Sequence, residues 1–101
     1  MNALTFTALA EPNRLRIVEL LREQPYSVNQ VAHLLKLRQP QASKHLRVLS
    51  DAGLVTVKPL AQQRLYALNP GPFLQLETWA DSFQQHLDHK LDSLEAYLKK
   101  G

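Results

Sequence analysis

The chain has 101 residues, a net charge of +3 and no cysteine. This length fits one domain, and the absence of thiols excludes disulfides and thiolate metal sites. No apolar run approaches the roughly 20 residues that a membrane-spanning helix needs. Residues 1–10 lack the basic start and the long apolar run of a signal peptide. We therefore expect a soluble, cytoplasmic protein.

Positive charge is concentrated in the middle of the chain. Residues 12–70 carry nine basic and three acidic side chains, whereas residues 71–101 carry three basic and five acidic ones. A basic segment between less basic ends favours a surface that faces a polyanion. On charge alone, a solvated surface of mixed charge explains this distribution equally well.

Two helices are predicted in the first quarter of the chain. Residues 3–9 are predicted to form a short helix, and Pro12 suits the first turn of a second one, where its missing N–H costs nothing. Pro25 marks the end of that second helix. Its apolar stripe at helical spacing consists of Leu15, Ile17, Val18, Leu20 and Leu21.

Two further helices follow, joined by about three residues. Ser27 is the predicted N-cap of the third helix, and Gln30 completes a capping box. Pro40 lies in the first turn of the fourth helix, which Gly53 ends. The inward face of this helix is predicted to hold Ala42, Leu46 and Leu49. Residues 27–53 are therefore typical of a helix-turn-helix.

A short β-hairpin is predicted next. Residues 54–57 are β-branched and residues 64–68 alternate between polar and apolar side chains, which favours two strands. Pro59 is predicted to interrupt the first strand, so that residues 58–63 connect the two. A hairpin over residues 54–68, placed directly after a helix-turn-helix, is a wing.

A long helix is predicted at the end of the chain, after a break at residues 69–72. Residues 73–99 contain no proline or glycine and would form a helix about 40 Å long. Its apolar seam, which continues to Leu98, needs a partner that a single wing domain cannot supply. We therefore predict a homodimer, with an interface made of Leu4, Phe73, Leu76, Ala80, Phe83, Leu87, Leu91 and Leu94.

Three segments resemble the ArsR-type (arsenic-repressor-like) winged helix-turn-helix regulators. Residues 9–17 resemble the opening motif of that family, residues 37–55 its recognition helix and Ala-Gly-Leu-Val exit, and residues 64–68 its second wing strand. The resemblance implies one mainly α domain over residues 1–101, with four helices, a two-stranded wing and a fifth helix. It also implies a homodimeric repressor that binds double-stranded DNA sequence-specifically.

The sequence departs from that family at three places. Arg38 stands where many members have serine, and the wing tip, residues 60–63, lacks the Gly-Arg pair of many members. The third helix lacks the cysteine motif that some members use to bind metal.

The fourth helix, residues 40–52, is predicted to enter the major groove with its N-terminal end on the bases. The side chains predicted to read bases are Gln39, Gln41 and Lys44, and Ser43 can reach either a base or a phosphate. Glutamine can donate to and accept from adenine, and lysine can donate to guanine. The side chains predicted to contact phosphates are Arg38, Arg47, Lys58 and Arg64. His45 lies at the edge of the buried face, where a structural hydrogen bond competes with a DNA contact.

Two alternatives remain at this stage. A winged-helix fold can also serve as a protein-interaction module without DNA binding, although the outward charges of Lys44 and Arg47 disfavour this. His86 and His89 lie three residues apart, which leaves zinc as an alternative to our expectation of no cofactor and an unknown effector. We expect no enzyme, because Ser43 and His45, two residues apart on a helix, do not face each other and the sequence shows no other catalytic constellation.

Overall fold

The structure is a computed structural model that describes residues 2–100. In that part of the chain, the elements in order are α1 (Ala3–Leu9), α2 (Pro12–Leu21), β1 (Tyr26–Ser27), α3 (Val28–Leu35), α4 (Gln39–Asp51), β2 (Val55–Leu60), β3 (Gln63–Leu68) and α5 (Pro70–Lys100). The predicted helical fold with a winged helix-turn-helix is confirmed. No described helix combines the length and the apolar character that crossing a membrane requires.

The helix-turn-helix begins and ends at local signals that the sequence carries. The side-chain hydroxyl of Ser27 accepts from the N–H of Gln30 at 3.2 Å, and the side-chain oxygen of Gln30 accepts from the N–H of Ser27 at 2.8 Å. This confirms the predicted capping box. Left-handed residues end both helices: Lys36, with φ 58°, follows α3 and Gly53, with φ 79°, terminates α4.

The core forms where α4 packs against α2, α3 and the start of β2. The inward face of α4 is confirmed, because Ala42, Leu46 and Leu49 are fully buried. The predicted stripe of α2 was wrong at Leu15, which is 46% exposed. Ile17, two residues further on, is fully buried. Successive positions on a helix are separated by about 100°, so these two side chains face opposite directions.

Removing the side chain of Leu46 should destabilise the protein strongly. We expect Leu46→Ala to lower the free energy of unfolding by about 2–5 kcal/mol, because a fully buried leucine leaves a cavity. Urea denaturation at one fixed protein concentration measures this. Leu60→Ala, at a side chain that is 62% exposed, is the matched control and should change the free energy by no more than about 0.5 kcal/mol. Equal losses would contradict the assigned core.

The sheet contains a third strand that sequence reasoning missed. The strand order is β1-β3-β2, and β1 pairs antiparallel with β3, with Tyr26 opposite Tyr66. A strand of two residues is too short to show a period of two, so its sequence carries no strand signal. The pairing nevertheless matters, because it attaches the wing to the residue that caps α3, Ser27.

The prediction that Pro59 interrupts the wing was wrong. β2 continues to Leu60, Pro59 lies opposite Arg64, and only Ala61 and Gln62 connect the strands. β2 lies at the edge of the sheet, where a proline is tolerated because one side of the strand has no hydrogen-bonding partner. The turn makes Ala61 left-handed, with φ 57°.

α5 begins three residues earlier than predicted. Residues 69–72 were interpreted as a break, but Pro70 and Pro72 lie in the first turn of the helix, where N–H groups have no intrahelical partner. The side chain of Asn69 accepts from the N–H of Gly71 at 3.3 Å and donates to the carbonyl oxygen of Gly53 at 2.8 Å. Asn69 therefore links the end of α4 directly to the start of α5.

Candidate nucleic-acid interface

α4 presents a polar face to solvent opposite its buried face. Its exposed side chains include five of the predicted DNA contacts, Gln39, Gln41, Ser43, Lys44 and Arg47. Neither Lys44 nor Arg47 forms an ion pair with any residue that the structure describes. Both charges are therefore available to bind a polyanion. Because one rigid helix carries both residues, they can contact the same polyanion together.

The wing adds two exposed cations on opposite faces. Lys58 lies opposite Leu65 and Arg64 lies opposite Pro59. Side chains of directly paired residues leave a sheet on the same face, and neighbouring pairs alternate. Lys58 and Arg64 therefore point away from each other. A wing that lies along a groove can place one cation toward each phosphate backbone.

Three other arginines of the basic segment are engaged within the protein. Arg14 donates through Nε to the carbonyl oxygen of Ala8 at 2.7 Å, and so supplies a donor to a backbone acceptor at the C-terminal end of α1. Arg16 donates to the carbonyl oxygen of Leu35 at 3.0 Å, and Arg22 pairs with Glu19 at 2.8 Å. Within the basic segment, residues 12–70, the basic residues left without such contacts lie in the turn, α4 and the wing: Lys36, Arg38, Lys44, Arg47, Lys58 and Arg64.

His45 does not share the exposed face of α4. Its side chain is only 17% exposed, and its Nδ1 lies 3.7 Å from Oε2 of Glu11. That nitrogen is buried and makes no hydrogen bond. The same carboxylate oxygen accepts from the backbone N–H of Arg14 at the start of α2. His45 therefore packs between α4 and α2, which favours the structural role over a DNA contact at this position.

This position gives a prediction for DNA binding. We expect His45→Gln to change DNA affinity by no more than about a factor of two, because the side chain faces the protein and not the groove. Fluorescence anisotropy with a fixed duplex measures the affinity. Lys44→Gln, the preceding residue, is the contrasting variant and should weaken binding clearly. A large loss with His45→Gln and an unchanged helical spectrum would contradict the placement.

The start of α4 is stabilised without a serine cap. Arg38 is the N-cap residue, and its backbone N–H donates to the side-chain oxygen of Gln41 at 3.1 Å. The helix consequently begins at Gln39, one residue before the predicted start. This contact fixes the orientation of the Gln41 amide, because only its oxygen can accept from an N–H.

α5 carries an apolar seam that the described residues of its own chain cover only at its start. Every side chain from residue 77 to residue 99 is exposed. Of the predicted interface residues, Leu4, Ala80, Phe83, Leu87, Leu91 and Leu94 are exposed, whereas Leu76 is half-buried and Phe73 packs against the core of its own chain.

Phe6 and Trp79 are not among the predicted interface residues. Trp79 contacts Phe6 of α1 and Phe83 edge-on, with both ring centroids 5.1 Å away. Trp79 lies four residues before Phe83, so helical spacing could have identified it. A groove of about 700 Å³ opens beside Phe6 and Trp79 between α1 and α5.

His86 and His89 lie exposed on α5. Residues 2–100 contain no group of three or more histidine, cysteine, aspartate or glutamate side chains arranged to hold a metal ion.

The helix-turn-helix, the paired wing and the exposed basic face of α4 define a winged helix-turn-helix DNA-binding protein. Residues 11–57 match the family described as bacterial regulatory protein, arsR family. The chain belongs to this family of transcriptional regulators, which confirms the resemblance seen in its motifs.

Two proteins of Mycobacterium tuberculosis are similar in sequence. The HTH-type transcriptional regulator Rv2034 is 40% identical over 76 residues, which cover 75% of this chain and 71% of the relative. The HTH-type transcriptional repressor SmtB is 41% identical over 61 residues, which cover 60% of this chain and 45% of that protein. The chain thus matches less than half the length of SmtB.

A solved structure is similar in fold. It is the homodimeric winged helix-turn-helix DNA-binding domain of Mb0332 from Mycobacterium bovis, with a TM-score of 0.67 and 26% identity. The match covers 83% of this chain and 82% of that one.

Proposed function

We propose that this chain is a homodimeric transcriptional repressor that binds a specific double-stranded DNA sequence with α4 in the major groove. The observation that carries the proposal is the exposed face of α4, on which the cations Lys44 and Arg47 have no ion-pair partner among the described residues. Its similarity to regulators and to a repressor supports the same function.

The dimer follows from the exposed seam of α5. This helix has 31 residues, and its uncovered apolar side chains recur every three or four residues. Pairing with the same seam of a second copy would bury them, and α1 would join the interface through the contact between Phe6 and Trp79. The homodimeric domain from Mycobacterium bovis supports this arrangement.

Within one protomer, we distinguish residues that read bases from residues that contact phosphates. We assign base reading to Gln39, Gln41, Ser43 and Lys44, and phosphate contacts to Arg38, Arg47, Lys58 and Arg64. We propose no catalytic step and no metal cofactor for this function, which requires only that the dimer occupy its operator.

Fluorescence anisotropy tests the proposal. The full chain is titrated with a duplex taken from upstream of its own gene and with a scrambled duplex, over a series of salt concentrations. We expect tight binding to the first duplex only, with a slope of log affinity against log salt of about −4 to −7. That range corresponds to several phosphate contacts per dimer. No binding to either duplex at low salt would contradict the proposal and favour a protein-interaction module.

A further inference from the structure

A contact in the first turn of α4 limits what Gln41 can read. Its side-chain oxygen accepts from the backbone N–H of Arg38 at 3.1 Å. The contact satisfies a backbone donor at the N-cap, where a helix leaves such groups unpaired. It therefore stabilises the start of α4 in the free protein.

This contact favours the NH₂ group of Gln41 as the part of the amide that meets DNA. A bidentate pair with adenine requires the oxygen and the nitrogen of the amide to face the same base edge. In Gln41 one lone pair of the oxygen is engaged by the backbone N–H of Arg38, whereas the NH₂ group has no hydrogen-bond partner among the described residues. Residue type alone predicts a free donor and a free acceptor at this position, whereas in the fold the acceptor is engaged with the backbone.

Lys44 is a second side chain on α4 that offers hydrogen-bond donors to DNA. It lies three residues after Gln41, so the two side chains are neighbours on one face of α4. Both are exposed, and an ammonium group has donors but no acceptor. Gln39 differs, because its amide makes no hydrogen bond with the part of the chain that the structure describes and keeps both functions.

We infer that Gln41 and Lys44 form a donor-only reading surface, so that each operator half-site presents guanine or thymine to this pair. Guanine offers N7 and O6 as acceptors in the major groove and thymine offers O4, whereas cytosine offers only its N4 donor. Adenine places a donor, N6, beside its single acceptor. The inference rests on the proposed function, since it requires α4 to lie in the major groove.

Selection of binding sites from a random duplex library tests this, using the full wild-type chain, Q41E and Q39E. A glutamate at position 41 can still accept from the N–H of Arg38 and is favoured at this helix position, but it removes the donor. We expect Q41E to change the preferred base at one position of each half-site from guanine or thymine to cytosine. The ratio of affinities for the two bases should change by about fivefold or more.

Q39E is the matched control, because it adds the same negative charge to the same helical turn without touching the cap. Because Gln39 is itself assigned to base reading, Q39E should alter the preference at its own position of the half-site and leave the position that responds to Q41E unchanged. A Q41E chain that selects the wild-type motif unaltered would overturn this inference alone. A wild-type chain that selects no sequence would overturn the proposed function together with this inference.

Discussion

Replacing Lys44 and Arg47 together by glutamine should lower DNA affinity by about 100-fold or more. Each residue occurs twice in the dimer, and the loss of one base-reading or phosphate contact typically costs about 1–3 kcal/mol or a comparable part of the electrostatic attraction. The slope of log affinity against log salt should become less steep by about 2, because two phosphate contacts of Arg47 are lost per dimer. Anisotropy over a salt series measures both quantities.

The fold should survive this double substitution. Both side chains are exposed and neither packs into the core, so the helical spectrum and the midpoint of urea unfolding should stay close to wild type. Lys90→Gln with Lys99→Gln is the matched control, because it removes the same charge from the exposed end of α5. If both double variants lowered the affinity equally, net charge and not the face of α4 would explain binding.

Placing aspartates in the seam of α5 should convert the dimer into monomers. Leu87 and Leu91 are 58% and 62% exposed in the single chain, so Leu87→Asp with Leu91→Asp costs little within a protomer. In a dimer the same change would bury four carboxylates without partners, which is strongly unfavourable. Sedimentation should show a mass of 11.5 kDa in place of twice that value.

DNA binding should weaken in the same variant. A monomer engages one half-site and loses the gain that comes from linking two binding sites, which is commonly 100-fold or more. Gln85→Asp with His89→Asp is the matched control, because it adds two aspartates on the opposite side of α5, two residues from the seam positions. A seam variant that still sediments as a dimer would contradict the assigned interface.

The helix-turn-helix was predictable because its signals are local. The capping box between Ser27 and Gln30 and the spacing of Ala42, Leu46 and Leu49 depend on a few neighbouring residues. Each involves hydrogen bonds or burial within one or two helical turns. Where a pattern of this kind exists, residue types alone determine which face of the helix is buried.

The errors occurred where distant parts of the chain decide the local structure. Pro59 is tolerated because β2 lies at the edge of the sheet, which its own sequence does not reveal. The chain continues from Asn69 into α5, and the Asn69 side chain donates to the carbonyl oxygen of Gly53, 16 positions earlier in the chain. Likewise, the sequence around His45 does not show that its side chain lies beside Glu11, 34 positions earlier in the chain. None of these partners can be identified from the residues that are adjacent in the sequence.

The site was only partly predictable for a similar reason. The sequence identified most exposed residues of α4, but not that the oxygen of Gln41 is engaged with Arg38. Residue type gives the full set of donors and acceptors, whereas the fold decides which of them remain available. The same limit applied to Phe6 and Trp79, whose contact depends on how α1 lies against α5.

Hydroxyl-radical footprinting of the wild-type chain on its selected duplex tests the central claim most directly. A dimer that places one copy of α4 in each of two major grooves should protect two patches. Their centres should lie about 10–10.5 base pairs apart, or an integer multiple of this distance. A single protected patch, or two patches whose separation does not correspond to whole helical turns, would contradict the account.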